Sequence, residues 1–148
     1  MYSNILIATD GSQLAEKAVS HGLSLAKLAG TKVTALIVEP SFNVFGVPES
    51  QVRQMPEAFA RHSEQIKQHA TKVLSHVAKA AQKAGVPCET VQLEHDQPYE
   101  AIIKTAEDKG CDLIVMASHG RSGISAVLLG SVTNKVLTHT KIPVLVCH

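Results

Sequence analysis

The chain has 148 residues and a formal net charge of +1, and this length is sufficient for one globular domain with a normal hydrophobic core. Apolar residues make up 45% of the sequence and charged residues 18%, and the nearly neutral charge gives no sign of a nucleic-acid or membrane-surface partner. Aromatic residues amount to 3% with no Trp, which argues against a surface on which single-stranded bases stack.

The cysteines and the apolar segments indicate a cytoplasmic protein. Cys88, Cys111 and Cys147 form no CxxC motif and lie in or beside apolar stretches, which favours reduced, buried thiols. The segment MYSNILIATDG has no basic region and only a short apolar run, so we expect no signal peptide. No apolar stretch approaches the roughly 20 residues of a membrane helix, so we expect no membrane partner.

The first half of the chain predicts two strands separated by a helix. Residues 4–9 (NILIAT) are apolar and precede Asp-Gly-Ser, which is typical of a buried strand. The next helix ends at Gly30, and residues 32–38 (KVTALIV) form a second strand. The apolar positions of that helix are Leu14, Ala18, Leu25, Leu28 and Ala29. Residues 41–56, with Phe42 and Phe45, form a long connection, which is either functional and mobile or sealed onto the domain by its rings.

The second half continues the alternation of helices and strands. Residues 57–84 predict a long helix that Gly85 closes, with a core stripe at Ile66, Ala70, Val73, Val77, Ala80 and Ala84. Residues 88–93 predict a weaker strand, and Pro98 opens a helix over residues 98–109. The last elements are a strand at residues 113–117, a helix at residues 131–140 and a strand at residues 144–147.

This order predicts the α/β class: one domain over residues 1–148, with an open sheet of five parallel strands and helices on both faces. Right-handed crossovers between parallel strands place the helices on the two faces. No second domain, linker or internal repeat is visible in the sequence.

Two segments follow strands and carry polar residues suited to a ligand. One is Ala8, Thr9 and Asp10 after the first strand, and the other is MASHGRSGISAVLLGSV, residues 116–132, after the fourth. Ligands of open α/β sheets bind outside the carboxyl ends of the strands, where the strand order reverses. If the first and fourth strands are neighbours, the two segments face each other across that crevice.

The second segment has the features of a phosphate site. Gly120 removes a side chain beside the strand, and the amides and hydroxyls of Gly130, Ser131 and Thr133 lie at the start of a helix, where anions are favoured. Arg121 either adds charge-assisted bonds or is solvated. The alternative is a plain glycine-rich turn with Ser131 as an N-cap, and the local pattern does not separate the two.

Asp10 and His119 each have more than one interpretation. Asp10 repels phosphate unless a cation lies between them, so its ligand roles are to accept hydrogen bonds from ribose hydroxyls or to help hold Mg²⁺. The alternative is that Asp10 caps the following helix. His119 donates to phosphate or ribose, or closes the end of the strand.

The spacing of these residues resembles the ATP-binding universal stress proteins. Their pattern is Gly, two residues, Gly, nine residues and Gly-Ser/Thr, and here the same register reads Ala117, Gly120 and Gly130-Ser131. The segments NILIATDGS, ALIVEP, DLIVMASHGRSG, LLGSVTNKVL and IPVLVCH also match the family, in order and over nearly the whole chain.

The resemblance implies a Rossmann-like fold of the adenine nucleotide alpha hydrolase type and a dimeric, ATP- and Mg²⁺-binding regulator or sensor of the stress response, with little or slow hydrolysis. It implies a homodimer through the last strand, Val144–Cys147. It places Ala8, Thr9 and Asp10 near adenine and ribose, and the backbone of Val38 at the adenine edge. It places the ribose–phosphate contacts at the end of the fourth strand, at Met116, Ala117, His119 and Gly120. It places the phosphate contacts at the start of the next helix, at Gly130, Ser131, Val132 and Thr133.

One position departs from the family pattern, since Ala117 replaces the first glycine. Its methyl group interferes only if the backbone needs a positive φ or touches the ligand, and we expect binding to be retained. Two other functions stay open: a dimeric stress protein that binds protein partners and no nucleotide, and a slow ATPase or self-phosphorylating enzyme that uses the hydroxyl of Ser131 or Thr133.

Other chemistries are disfavoured. His62, His69 and His76 recur every seven residues on the long predicted helix, so neighbours are about 10.5 Å apart and cannot share a metal ion. The sequence also contains neither GxGxxG nor GxxxxGK[ST], and the segment after Gly120 is not a nucleophile elbow.

Overall fold

A computed structural model describes residues 1–41, 48–120 and 128–148. The predictions for Phe42, Phe45 and Arg121 fall outside the described residues.

Five strands of the described chain form one parallel sheet. They are β1 (Asn4–Ala8), β2 (Lys32–Glu39), β3 (Cys88–Glu94), β4 (Leu113–Ala117) and β5 (Val144–Cys147). The strand order is β3-β2-β1-β4-β5, so β1 pairs with β2 on one side and with β4 on the other. The chain thus winds outward from β1 in both directions, and the predicted neighbourhood of β1 and β4 is confirmed.

The helices of the described chain are α1 (Gln13–Ala29), α2 (Glu49–Gln54), α3 (Pro56–Ala84), α4 (Pro98–Asp108) and α5 (Ser131–His139). α2 corrects the prediction that residues 41–56 only connect two elements. It is six residues long, has no capping side chain and leads directly into α3 at Pro56, so it carries too little apolar periodicity for a sequence pattern to reveal.

The central strands are buried on both faces, because helices cover each side of the sheet. On one face Ile5, Ile7 and Val115 pack with α1 and α3, and on the other Leu6 and Ile114 pack with α4 and α5. A strand enclosed in this way favours apolar residues on both faces, which explains the continuous runs ILIA at residues 5–8 of β1 and LIVMA in β4. The buried polar residue of β1 is Asn4, whose side-chain amide donates to Thr34 Oγ1 and to the Lys109 carbonyl.

The predicted apolar face of α1 is confirmed in part, because Ala18 is buried and Leu14 and Leu25 pack partly buried against the core. Leu28 is 87% exposed, and the buried positions are Ala15, Ala18, Val19, Gly22, Leu23 and Ala26. The small residues bring the helix axis close to β1: a Cβ on Gly22 would lie 2.5 Å from Cδ1 of Ile7. Close approach therefore favours small residues at most positions of this stripe, and Leu23 is the one leucine of α1 that is buried in it.

The cysteines are free, with Cys111 and Cys147 buried and Cys88 partly buried. Burial raises the pKa of each thiol, most directly for Cys147, where desolvation acts alone. The prediction of buried thiols is confirmed for Cys111 and Cys147 and only in part for Cys88. No helix of the described chain is long and apolar enough to cross a membrane.

Candidate functional site

A cleft of about 410 Å³ opens at the carboxyl ends of β1 and β4. This is the point at which the strand order reverses, where open α/β sheets bind their ligands. All predicted site residues within the described chain line it: Ala8, Thr9, Asp10, Val38, Met116, Ala117, His119, Gly120, Gly130, Ser131, Val132 and Thr133. The structure therefore brings together the two segments that the sequence placed after β1 and β4.

The turn after β1 is fixed by its own hydrogen bonds. The Thr9 amide donates to the Leu36 carbonyl at 2.9 Å and extends the sheet by one residue. The Ser12 amide donates to Oδ1 of Asp10 at 3.0 Å, and Ser12 itself caps α1 by accepting from the Ala15 amide. Asp10 is therefore not the helix cap, and its carboxyl group borders the cleft.

Gly120 lies against that carboxyl group from the β4 side. A Cβ placed on Gly120 would lie 2.9 Å from Oδ2 of Asp10, closer than a carbon–oxygen contact allows. The absence of a side chain at residue 120 thus permits the two chain segments to approach across the cleft. This is a physical reason for the second glycine of the pattern.

Ala117, the departure from the family pattern, causes no backbone strain. No described non-glycine residue has a positive φ, and Ala117 is 8% exposed within β4. It packs with the core residues beneath α1 and α3, and its carbonyl accepts a hydrogen bond from the Thr133 hydroxyl at 2.8 Å. The methyl group therefore occupies a normal strand position.

The start of α5 forms one wall of the cleft. Gly130 is the N-cap, with no side-chain cap, and its amide donates to the Ser118 carbonyl at 2.7 Å. A Cβ at Gly130 would lie 3.1 Å from that carbonyl oxygen and 3.3 Å from Cα of His119, so glycine allows the helix start to sit on the end of β4. The prediction of Ser131 as the N-cap is wrong, since Gly130 is the N-cap and Ser131 is the first helical residue.

This placement leaves the first amides of α5 facing a cavity. The amides of Ser131, Val132 and Thr133 have no acceptor within the helix, because the first bond of the turn runs from Asn134 to the Gly130 carbonyl. The side chain of Thr133 is not available to a ligand: its hydroxyl is buried and directed to the Ala117 carbonyl. Of the two predicted hydroxyls, the exposed Ser131 is the accessible one.

His119 is held at the same end of β4. Its Nδ1 lies 3.0 Å from Oγ of Ser118, and its Nε2 is enclosed with no hydrogen-bond partner among the described residues.

The opposite end of the cleft is apolar. Val38, which the sequence indicated, lies there with Leu36, Pro98 and Ile102, which it did not. These three come from β2 and α4, and they reach the cleft because β2 lies beside β1 and α4 packs over β2. Nothing in their local sequence marks them, and the strand order is the signal that identifies them.

No preformed metal cage is visible in the described chain. No group of three or more His, Cys, Asp or Glu side chains is arranged to hold an ion, and Asp10 is the acidic residue of the described cleft lining. His62, His69 and His76, which were predicted to flank the core stripe, lie exposed along α3. A metal here would depend on ligands brought by a bound molecule.

The fold defines a Rossmann-like α/β protein with a cleft at the reversal of strand order. The chain belongs to the universal stress protein family: the model of that family matches residues 1–148. It is 34% identical to universal stress protein MJ0531 of Methanocaldococcus jannaschii, over 99% of this chain and 82% of the relative. It is 31% identical to universal stress protein YxiE of Bacillus subtilis, over 99% of both chains.

Solved structures agree with this assignment. The structure of MJ0577 from Methanocaldococcus jannaschii matches with a TM-score of 0.81 and 31% identity, over 99% of this chain and 96% of that one. Two universal stress proteins of the same fold were solved with nucleotides. One is in complex with cAMP (TM-score 0.73, 22% identity, 99% and 97% coverage), and the other, from Archaeoglobus fulgidus, is in complex with dAMP (TM-score 0.67, 20% identity, 99% and 98% coverage).

Proposed function

We propose that the cleft between β1 and β4 binds an adenine nucleotide, ATP with Mg²⁺, and that the protein is a nucleotide-dependent regulator or sensor. The observation that carries this proposal is the start of α5, which has no capping side chain and lies in the wall of the cleft. Free amides and the positive end of the helix dipole favour a phosphate group there.

The two ends of the cleft fit the two ends of a nucleotide. The apolar surface of Leu36, Val38 and Ile102 suits the faces of a base, and the phosphates extend toward Ser131. Asp10 lies between these ends and accepts bonds from ribose hydroxyls. The cAMP and dAMP complexes of the two solved relatives support an adenine nucleotide as the ligand class.

Mg²⁺ fits this site as a partner of the phosphates. It prefers oxygen ligands and keeps several waters, so one carboxylate is sufficient when phosphate oxygens complete the shell. Asp10 would be the protein ligand, directly or through water. Bound there, the ion would offset the repulsion between the carboxylate and the triphosphate.

The described lining favours retention of ATP over rapid hydrolysis. It contains no Lys, and Asp10 and His119 are its titratable side chains. Phosphoryl transfer depends on placed cations and on a group that orients the attacking nucleophile. Slow self-phosphorylation at Ser131 remains the second candidate, because its hydroxyl is exposed at the phosphate end. Transfer of label from γ-labelled ATP that is lost in Ser131→Ala would favour it.

A homodimer through β5 accompanies this function. β5 is an edge strand, and Leu145 on it and Leu137 on α5 are each 39% exposed. An open apolar edge is prone to pair with another strand, and pairing with a second copy would cover it. Sedimentation of Leu145→Lys should show monomers at concentrations where the wild type is dimeric; a wild-type monomer would refute this part. A cytoplasmic location, where ATP is abundant, fits the proposal.

Calorimetry on Ser131→Glu tests the nucleotide proposal. A carboxylate at the first turn of α5 stabilises the helix, yet it repels a phosphate at the same amides. We expect wild-type protein to bind ATP–Mg²⁺ and Ser131→Glu to bind about tenfold or more weakly, with an unchanged or higher Tm. Ser131→Gln, of the same size without charge, is the matched control. No heat from wild-type protein at millimolar ATP–Mg²⁺ would overturn the proposal.

A further inference from the structure

A second cavity, of about 1260 Å³, lies between α1 and α3 on the other face of the sheet from α4 and α5. It exceeds the roughly 300–1,000 Å³ typical of small-molecule sites. Along α1 it extends from Glu16 to Lys27, about 17 Å or three helical turns. Its dimensions are those of a groove for a short segment of protein, and we call it the α1–α3 groove.

The floor of the α1–α3 groove is apolar. Its buried part consists of Val19 and Leu23 of α1 and Val77 of α3. Beside these residues lie the partly buried Val73 and Ala80 of α3. These residues belong to the core stripe of each helix, so the groove exposes the outer edge of the core where the two helices diverge. An amphipathic helix would place its apolar face on this floor.

The α3 rim carries a stripe of basic residues. The stripe consists of His69, Lys72, His76 and Lys79. Their spacings of three, four and three residues place them on one side of the helix. All four are exposed. Two of the three regularly spaced histidines, His69 and His76, thus belong to the rim of this groove.

The α1 rim is small and polar, with Ser20 and Ser24 between Glu16 and Lys27. Across both rims there are more lysines than carboxylates: the positive charges are on Lys27, Lys72 and Lys79, and the negative charge is on Glu16. At one end of the groove, the opposite charges of Glu64 and Lys67 cancel. None of the three rim lysines forms an ion pair within residues 1–41, 48–120 and 128–148. The rims therefore present uncompensated positive charge beside an apolar floor.

We propose that the α1–α3 groove docks an acidic amphipathic helix of about three turns from a partner protein. The apolar floor takes its leucine-type side chains, and the rim lysines pair with carboxylates on its flanks. A second copy of this chain is a poorer occupant, because its own net charge is +1. The groove is separate from the phosphate end of the nucleotide cleft, so this inference does not depend on the proposed function.

The test uses nucleotide-free full-length protein and two labelled peptides of about 14 residues built from Glu, Ala and Leu. In one the leucines form a single face, and in the other the same residues are scrambled around the helix. We expect the amphipathic peptide to bind in fluorescence anisotropy and to shift NMR signals of Val73 and Val77. Its affinity should fall about tenfold in Lys72→Glu/Lys79→Glu and fall with added salt.

The matched control is Lys17→Glu/Lys141→Glu, which changes the net charge equally at exposed positions outside the groove and should bind the peptide like the wild type. Equal binding of the scrambled peptide or of an oligonucleotide would identify a general polyanion surface and overturn the proposal. Absence of binding at millimolar peptide, or an equal loss in the control variant, would overturn it as well. If the Lys72→Glu/Lys79→Glu variant instead loses self-association, the occupant is a second copy and the proposal fails.

Discussion

Gly120→Ala tests whether the end of β4 and the turn after β1 meet across the nucleotide cleft. The added Cβ would lie 2.9 Å from Oδ2 of Asp10, so the carboxyl group must move away. That movement weakens its 3.0 Å bond from the Ser12 amide, at a cost of about 1 kcal/mol in the free energy of unfolding. For a chain of this length the Tm should fall by about 2–4 °C.

The effect on ligand binding should be larger than the effect on stability. A displaced carboxylate loses a charge-assisted bond to the ribose or its role beside Mg²⁺, which is worth about 1.5–3 kcal/mol. The affinity for ATP–Mg²⁺ should therefore fall by about 10- to 100-fold. Calorimetry gives the affinity, and thermal unfolding without nucleotide gives the stability term on its own.

A double-mutant cycle with Asp10→Ala isolates the contact. Once the carboxyl group is absent, the methyl group at residue 120 meets open space, so Gly120→Ala should cost nothing further in affinity. Wild-type affinity in Gly120→Ala, or losses that add in the double variant, would show that the two segments do not meet as described.

Three further predictions concern packing, the departure from the family pattern and pH. Gly22→Ala should lower the free energy of unfolding by about 1–3 kcal/mol in urea unfolding, because its Cβ would lie 2.5 Å from Ile7, and it should leave ATP affinity unchanged. Ala117→Gly should bind ATP within about twofold of the wild type and unfold about 0.5–1 kcal/mol more easily; a large gain in affinity would contradict the harmless placement of its methyl group. Burial opposes the charge of Asp112, but hydrogen bonds from Ser3 outweigh it and hold the pKa of Asp112 below its usual range. The Asp112 carboxylate therefore stabilises the fold fully above the unfolded pKa of about 4, and this stabilisation is lost as the pH falls through the lower folded pKa. In Asp112→Asn, the free energy of unfolding should therefore decrease less steeply as the pH falls through this range.

The sequence predicted the fold well where one physical rule dominates. The apolar runs of β1 and β4 show strands buried on both faces, and Gly30 and Gly85, with φ of 64° and 74°, mark the ends of α1 and α3. It identified the buried face of α1 only in part, because it included the exposed Leu28 and left out Gly22. There, close approach between Gly22 and Ile7 decides the packing, and leucine positions alone do not reveal it.

The candidate site was predictable only in part, for a similar reason. Residues such as Gly120 and Ser131 lie at strand and helix ends, so local patterns find them. Pro98 and Ile102 enter the cleft only because β2, β1 and β4 lie side by side, and that order is a property of the whole chain. The inward turn of the Thr133 hydroxyl depends on its distance from Ala117, sixteen positions away, which no local pattern encodes.

A crystal structure of the protein grown with ATP and Mg²⁺ tests the central claim most directly. We predict density for the nucleotide between β1 and β4, with the base against Val38, the ribose at Asp10 and the phosphates at the amides of Ser131 and Val132. An empty cleft at saturating ATP–Mg²⁺, or a nucleotide bound elsewhere with the start of α5 unoccupied, would contradict the claim.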